Sequence, residues 1–167
     1  MKPVLFLDID GVLNIAGWKP ERPVCDWDDL EFHEVPNYSQ GYRFPMYLSP
    51  EMGAQLASLD VEIRWLTTWA NDAHAVGKLV GLPDNLPVAA TPPPLGVRNW
   101  KLQAVREFVE DEPGVPFIWL DDDAITEAAD KFLESCGVPH LAVKVDENKG
   151  IEKTTIESIR VFTKHVK

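Results

Sequence analysis

Asp8 and Asp10 stand two residues apart at the end of the apolar run PVLFL (residues 3–7), and Gly11 follows directly. Side chains two apart on an extended backbone point to the same side. The pair therefore either surfaces into solvent or builds a place for positive charge. Two more apolar runs end in polar chemistry. Residues 61–66 (VEIRWL) lead into Thr67 and Thr68, and residues 115–120 (VPFIWL) lead into Asp121, Asp122 and Asp123. In an open parallel sheet, ligands bind beyond the carboxyl ends of the strands, so parallel strands here would bring all three groups to one edge. Four or more carboxylates there repel unless a cation holds them. With no His or Cys clustered among them, the oxygen-only set suits Mg²⁺ better than a transition metal.

The elements that must position these groups are legible as alternating patterns. Residues 3–7, 61–66, 115–120 and 139–145 read as strands, with 86–90 (LPVAA) a weaker candidate. Between them, Leu102, Val105, Phe108 and Val109 share one helical face within 98–110. Ile125, Ala128, Ala129, Phe132 and Leu133 do so within 123–136, where Gly137 supplies a stop. Ile156, Ile159, Phe162 and Val166 mark a last helix over 151–166. Ser49-Pro50 opens another over 50–59. Continuous apolar strands alternating with helices predict an α/β fold, a parallel sheet covered on both faces. Residues 14–45, rich in Trp, Pro, Asp and Glu, have no clear period and are long for a connection, which marks them as a functional or disordered insertion. Tyr42–Leu48 reads as a strand at its end.

With 167 residues the chain is expected to form one domain, residues 1–167, and neither repeat nor linker divides it. Its net charge of −11, from 27 acidic and 16 basic residues, disfavours broad contact with nucleic acid or anionic membrane. Cys25 and Cys136 are far apart and outside any CxxC pair, so neither a disulfide framework nor a zinc site is expected. The N-terminal apolar run is too short for a signal peptide, and no segment approaches the roughly 20 apolar residues of a membrane span. A cytoplasmic protein without membrane contact is the expectation, and no segment points to an obligate protein partner.

A D-x-D-G string is expected roughly 0.07 times in a random chain of this composition, and a preceding apolar strand lowers that further. Joined to WLTTW and WLDDD, it resembles the haloacid dehalogenase (HAD) superfamily of aspartate-nucleophile phosphatases. The matching residues are Asp8-Ile9-Asp10-Gly11-Val12-Leu13, Thr67 or Thr68, Lys101, and Asp121-Asp122. Within the superfamily the chain is similar to small bacterial and phage HAD domains, including those attached to RNA-repair proteins. The resemblance implies a Rossmann-like three-layer fold with a small cap at 14–45 and a Mg²⁺-dependent phosphomonoesterase. Asp8 would attack phosphorus to form an aspartyl-phosphate, and Asp10 would act as general acid and then base. The metal would be held by Asp8, the backbone carbonyl of Asp10, and Asp121, with Asp122 acting directly or through water. Thr67, Thr68, Lys101 and Gly11 would hold the phosphoryl group.

Blander readings stand beside these. The Asp8/Asp10 pair could be a solvated strand end, and Lys101 an ordinary helix lysine, with Lys78 the other candidate. Thr67 is favoured over Thr68 because it follows the apolar run directly, which leaves Thr68 as a helix cap. Asp123 could cap the following helix. The second acid that some HAD enzymes carry four residues on is absent, because that position is Ile125. Trp69 and Trp100 could offer a stacking surface to a base, though aromatic packing at the rim is the stronger expectation; Trp65 and Trp119 read as core. His33, His74, His140 and His165 have no evident partner, and Asp146 has a weak claim on the site.

A small cap implies an open site, suited to a nucleic-acid or protein end. The segment 14–45, however, carries Glu21, Asp26, Asp28, Asp29, Glu31 and Glu34 against Lys19, Arg22 and Arg43. A terminal phosphate on a short oligonucleotide, or a mononucleotide or other small molecule, therefore fits better than a long duplex. A non-catalytic Mg²⁺-binding module and a phosphotransferase are the competing classes.

Overall fold

In the computed structural model, which describes residues 1–167, the elements in chain order are β1 (Val4–Leu7), β2 (Glu31–Asn37), β3 (Tyr42–Leu48), α1 (Pro50–Ala57), β4 (Glu62–Trp65), α2 (Ala73–Leu79), α3 (Trp100–Asp111), β5 (Phe117–Asp121), α4 (Glu127–Ser135), β6 (His140–Lys144) and α5 (Lys153–His165). A single turn of 3₁₀ helix, Ala70–Asp72, precedes α2. Strands β4, β1, β5 and β6 form one parallel sheet in that order. The expected three-layer α/β fold is therefore present.

Strand alternation splits the core in two. Leu5, Leu7, Ile63, Trp65, Ile118 and Leu120 face a layer made by α1, α2, α5 and the β2–β3 hairpin. Val4, Phe6, Phe117 and Trp119 face the other way, against Leu102, Val105 and Phe108 of α3 and Ala129 and Leu133 of α4. Both faces of β1 and β5 are buried, which is why those strands are apolar up to Asp121 at the end of β5. Trp65 and Trp119 lie in the core as expected, and the indole N–H of each has no hydrogen-bond partner.

Helix α1 starts as its sequence dictates. Ser49 Oγ accepts the Met52 N–H at 3.0 Å, and Pro50 occupies the first turn, where no N–H is needed. Helix α4 begins later than its apolar pattern suggests, at Glu127, because residues 122–126 are taken up by a turn built on Asp121. Asp123 consequently caps no helix.

The irregular segment contains more order than its composition announces. Strands β2 and β3 pair antiparallel from Glu31↔Leu48 to Asn37↔Tyr42, so the predicted strand at Tyr42–Leu48 has a partner that the sequence reading missed. In β2 only Val35 and Asn37 are buried, which leaves no alternation to read. Thr68 caps no helix: the 3₁₀ turn starts behind Trp69 and α2 behind Asp72, and the seven residues of α2 are too few for a period to stand out. Residues 86–90 form a single bridge, Val88 against Trp65, rather than a strand. Cys25 and Cys136 are free thiols, and no helix is long and apolar enough to cross a membrane.

Candidate active site

The pairing of β1 with β5 places Leu7 beside Leu120, so Asp8 and Asp121 emerge next to each other. Alternation sends both side chains toward the α3 face, one step beyond Phe6 and Trp119. Lys101 waits there, in the first turn of α3. Its Nζ lies 2.9 Å from Asp8 Oδ2 and 2.6 Å from Asp121 Oδ2, with all three side chains at least nine-tenths buried. Lys101 is thus no ordinary surface lysine, while Lys78 is exposed on α2, on the opposite face of the sheet.

Burial pushes the Asp8 carboxyl well above its ordinary range, and the Asp121 charge adds to that; Lys101 only partly offsets them. Burial pulls the Lys101 ammonium down, but the two carboxylates outweigh it and hold the group above the normal lysine range. Asp122 is pushed up to about 6, first by burial and then by the charges of Asp123 and Asp121. Asp123 is raised for the same first reason. Carboxylate oxygens of Asp8, Asp121, Asp122 and Asp123 all lie within 4.8 Å of one another. Four acids so close, with one buried lysine among them, are a donor set of hard oxygens that fits a divalent cation such as Mg²⁺. Asp123 lies in this cluster, which favours its place among the strand-end acids over the alternative of a helix cap.

The turn after β1 is tightly organised. The N–H groups of Val12, Leu13 and Asn14 converge on the Ile9 carbonyl, and the Gly11 N–H is donated to Asn14 O at 3.0 Å. Gly11 has φ +75°, and a Cβ there would sit 2.4 Å from Asp122 Oδ2. Glycine is required both by the backbone and by the closeness of Asp122. The Asp10 carboxylate stands apart from the four clustered acids. It accepts Asn14 Nδ2 at 3.0 Å on Oδ1 and Trp69 Nε1 at 2.9 Å on Oδ2.

Asp8, Asp10, Thr68, Lys101, Asp122 and Trp100 all line one cavity of about 320 Å³. The family model for the HAD domain in Swiss Army Knife RNA repair proteins matches residues 4–156. The chain belongs to this HAD family. No curated protein and no solved structure matches it. HAD domains generally use Mg²⁺, and the acidic group of this HAD domain is built at the strand ends where such an ion would sit.

Within the HAD domain the two threonines separate. Leu66 packs on the α3 face, so alternation returns Thr68 to that face and turns Thr67 away. Thr67 is fully buried, and its Oγ1 accepts the Trp69 N–H at 3.3 Å; Thr68 lies on the cavity wall. Counting residues from the apolar run does not reveal this, whereas strand parity does. Trp69 is itself buried, its ring edge-on to Phe44 of β3, and presents no face to a ligand. Trp100 is half-buried on the cavity wall. His33 pairs with Glu31, His140 stacks on Phe117, and His165 bonds the Val161 carbonyl, all outside the cavity. Asp146 turns its own loop, its carboxylate accepting the Asn148 N–H, and it does not reach the site.

Proposed function

We propose that this HAD domain is a Mg²⁺-dependent phosphomonoesterase that works through an aspartyl-phosphate on Asp8 and acts on nucleic-acid ends or nucleotides. The observation that carries the reading is the buried Asp8–Lys101–Asp121 triad, of which Asp8 and Lys101 line an open, polar cavity with Asp121 behind them. Asp8 attacks phosphorus and the ester P–O bond breaks. Asp10 gives its proton to the departing oxygen, then removes one from the water that cleaves the acyl phosphate. Lys101 stays protonated, orients Asp8 and offsets the phosphoryl charge, while the Thr68 hydroxyl donates to a phosphoryl oxygen and Thr67 holds the turn beneath it. A Mg²⁺ held by Asp8, Asp121, Asp122 and the Asp10 carbonyl would neutralise the repulsion between nucleophile and phosphate.

Support for the substrate class comes from what adjoins the cavity. Past Asn99 and Trp100 it continues into a groove of about 590 Å³ that carries Arg98 and Arg106 beside Glu107. Two arginines and an aromatic edge suit the phosphodiester and base of the nucleotide behind the scissile phosphate. The β2–β3 hairpin, with Glu31 and Glu34 exposed, acts as a small cap that leaves the site open and gives a long duplex no footing.

p-Nitrophenyl phosphate with Mg²⁺ is the first test. Hydrolysis by the wild type and none by Asp8→Asn is expected; equal rates in the two proteins would leave a non-catalytic metal-binding module. A panel of 3′-phosphorylated and 5′-phosphorylated oligonucleotides, mononucleotides and phosphopeptides then separates substrates. No preference for the nucleotide esters removes the nucleic-acid assignment and leaves the phosphatase.

A further inference from the structure

Asp10 is held by a device that the catalytic assignment does not require. Each of its oxygens accepts one N–H donor, from two different parts of the chain: Asn14 Nδ2 at 3.0 Å and Trp69 Nε1 at 2.9 Å. Both donors are buried, Asn14 at 2% exposure and Trp69 at 2%. Both are also tied to the same strand of the hairpin. Asn14 Oδ1 accepts the Tyr47 N–H at 3.1 Å, and the neighbouring Ile15 N–H bonds the Tyr47 carbonyl at 3.1 Å. The Trp69 ring meets Phe44 edge-on with centroids 5.2 Å apart. Behind Trp69 the chain turns through Ala70 at φ +46°, a conformation an alanine adopts only when its surroundings impose it.

We infer that Trp69 and Asn14 form a clamp that fixes the Asp10 carboxyl toward the leaving oxygen, and that strand β3 of the hairpin braces the clamp. Each carboxyl oxygen keeps a second lone pair, so a proton can still reside on the side that faces the cavity. The hairpin is then part of the acid catalyst's support as well as a cover. Trp69 and Asn14 are positioning residues and touch no substrate. The inference rests on the acid–base role proposed for Asp10.

A graded series of substituted phenyl phosphates reads the clamp. Expulsion of p-nitrophenolate needs little proton donation, whereas expulsion of the unsubstituted phenolate depends on it. The slope of log kcat/KM against leaving-group acidity therefore reports how well Asp10 is aimed, and a general loss of fold does not change it. Trp69→Phe keeps an aromatic ring against Phe44 and removes the N–H together with the rest of the five-membered ring. Its kcat/KM is expected to fall at least about 10-fold more for phenyl phosphate than for the p-nitrophenyl ester. Asp10→Asn sets the steepest slope, and adding Trp69→Phe to it changes the slope no further.

Losses in Trp69→Phe that are equal across the series overturn the clamp. That outcome is distinct from failure of the underlying reading, which would appear as an active Asp8→Asn protein or an Asp10→Asn slope parallel to wild type. Should circular dichroism show Trp69→Phe unfolded, Phe44→Leu decides on the same plot: it loosens the brace without touching Asp10. A steeper slope supports the inference, and a parallel line removes it.

Discussion

The rim formed by the ends of β1 and β5 and the hairpin of β2 and β3 both bear on Asp10, yet they are built differently. At the rim every position follows from strand parity: residues buried on both faces run up to Asp8 and Asp121, and the next side chain on the α3 side is Lys101. The hairpin buries only Val35, Asn37, Met46 and Leu48 of its fourteen residues and shows solvent an acidic, aromatic outer face. The rim can hold charge because it is rigid and desolvated. The hairpin is anchored on one side only, by Val35, Met46 and Leu48 in the core with Phe44 and Tyr47 packed against it. On the proposed reading, the chemistry is placed in the sheet and its tuning in the insertion.

The contrast can be broken from the rim side first. Asp8→Asn should lower kcat by about 10⁴-fold or more, measured on p-nitrophenyl phosphate, because no other group can take the nucleophile's place. Lys101→Met should cost about 10²–10³-fold in kcat, and about 3–5 kcal/mol in urea unfolding, since it leaves two buried carboxylates without their cation. Gly11→Ala sharpens the picture by pushing on Asp122 while straining the positive-φ turn beside Asp10. Mg²⁺ affinity, measured by calorimetry, should weaken by about 10–100-fold, with less effect on the melting temperature of the metal-free protein.

A smaller effect concerns pH. In the fold Asp122 keeps its proton to about pH 6, while the unfolded chain releases it near 3.8, and Asp8 is shifted in the same direction. A raised carboxyl pKa means that the folded state binds more protons, so the metal-free protein loses stability as pH rises from about 4 to about 6. Half-exposure of Asp122 screens part of this, and the expected fall in melting temperature is a few degrees. Millimolar Mg²⁺ should restore it at pH 7 while doing little at pH 4.5, as thermal melts in both buffers would show. Smallest is the groove. Arg106→Ala should raise KM for a phosphorylated oligonucleotide about threefold to tenfold more than for the aryl ester, as expected of one partly screened phosphate contact.

Legibility in the sequence followed burial. Strands such as Val4–Leu7 and Phe117–Asp121 are buried on both faces, so their apolar runs announce them, and the helices α3, α4 and α5 carry their stripes openly. Strand β2 is hidden because its neighbours supply what its own residues lack: Glu31, Phe32 and Glu34 are exposed, and pairing with β3 alone keeps it extended. Helix α2 fails for a related reason, being held by tertiary packing of Ala73, Val76 and Gly77 more than by a pattern of its own.

The residue types at the site, and the strand ends that carry Asp8, Asp10 and Asp121-Asp122, were determined by the sequence by itself, since carboxylates after apolar runs have few other places to go. Only the tertiary structure decided that Asp123 sits among the clustered carboxylates and that Gly11 makes room for Asp122. It alone joined Trp69 and Asn14 to Asp10, across 59 and 4 residues of chain. The reason is physical: composition and period report burial, which is a property of one segment. Hydrogen-bond geometry depends on how segments meet.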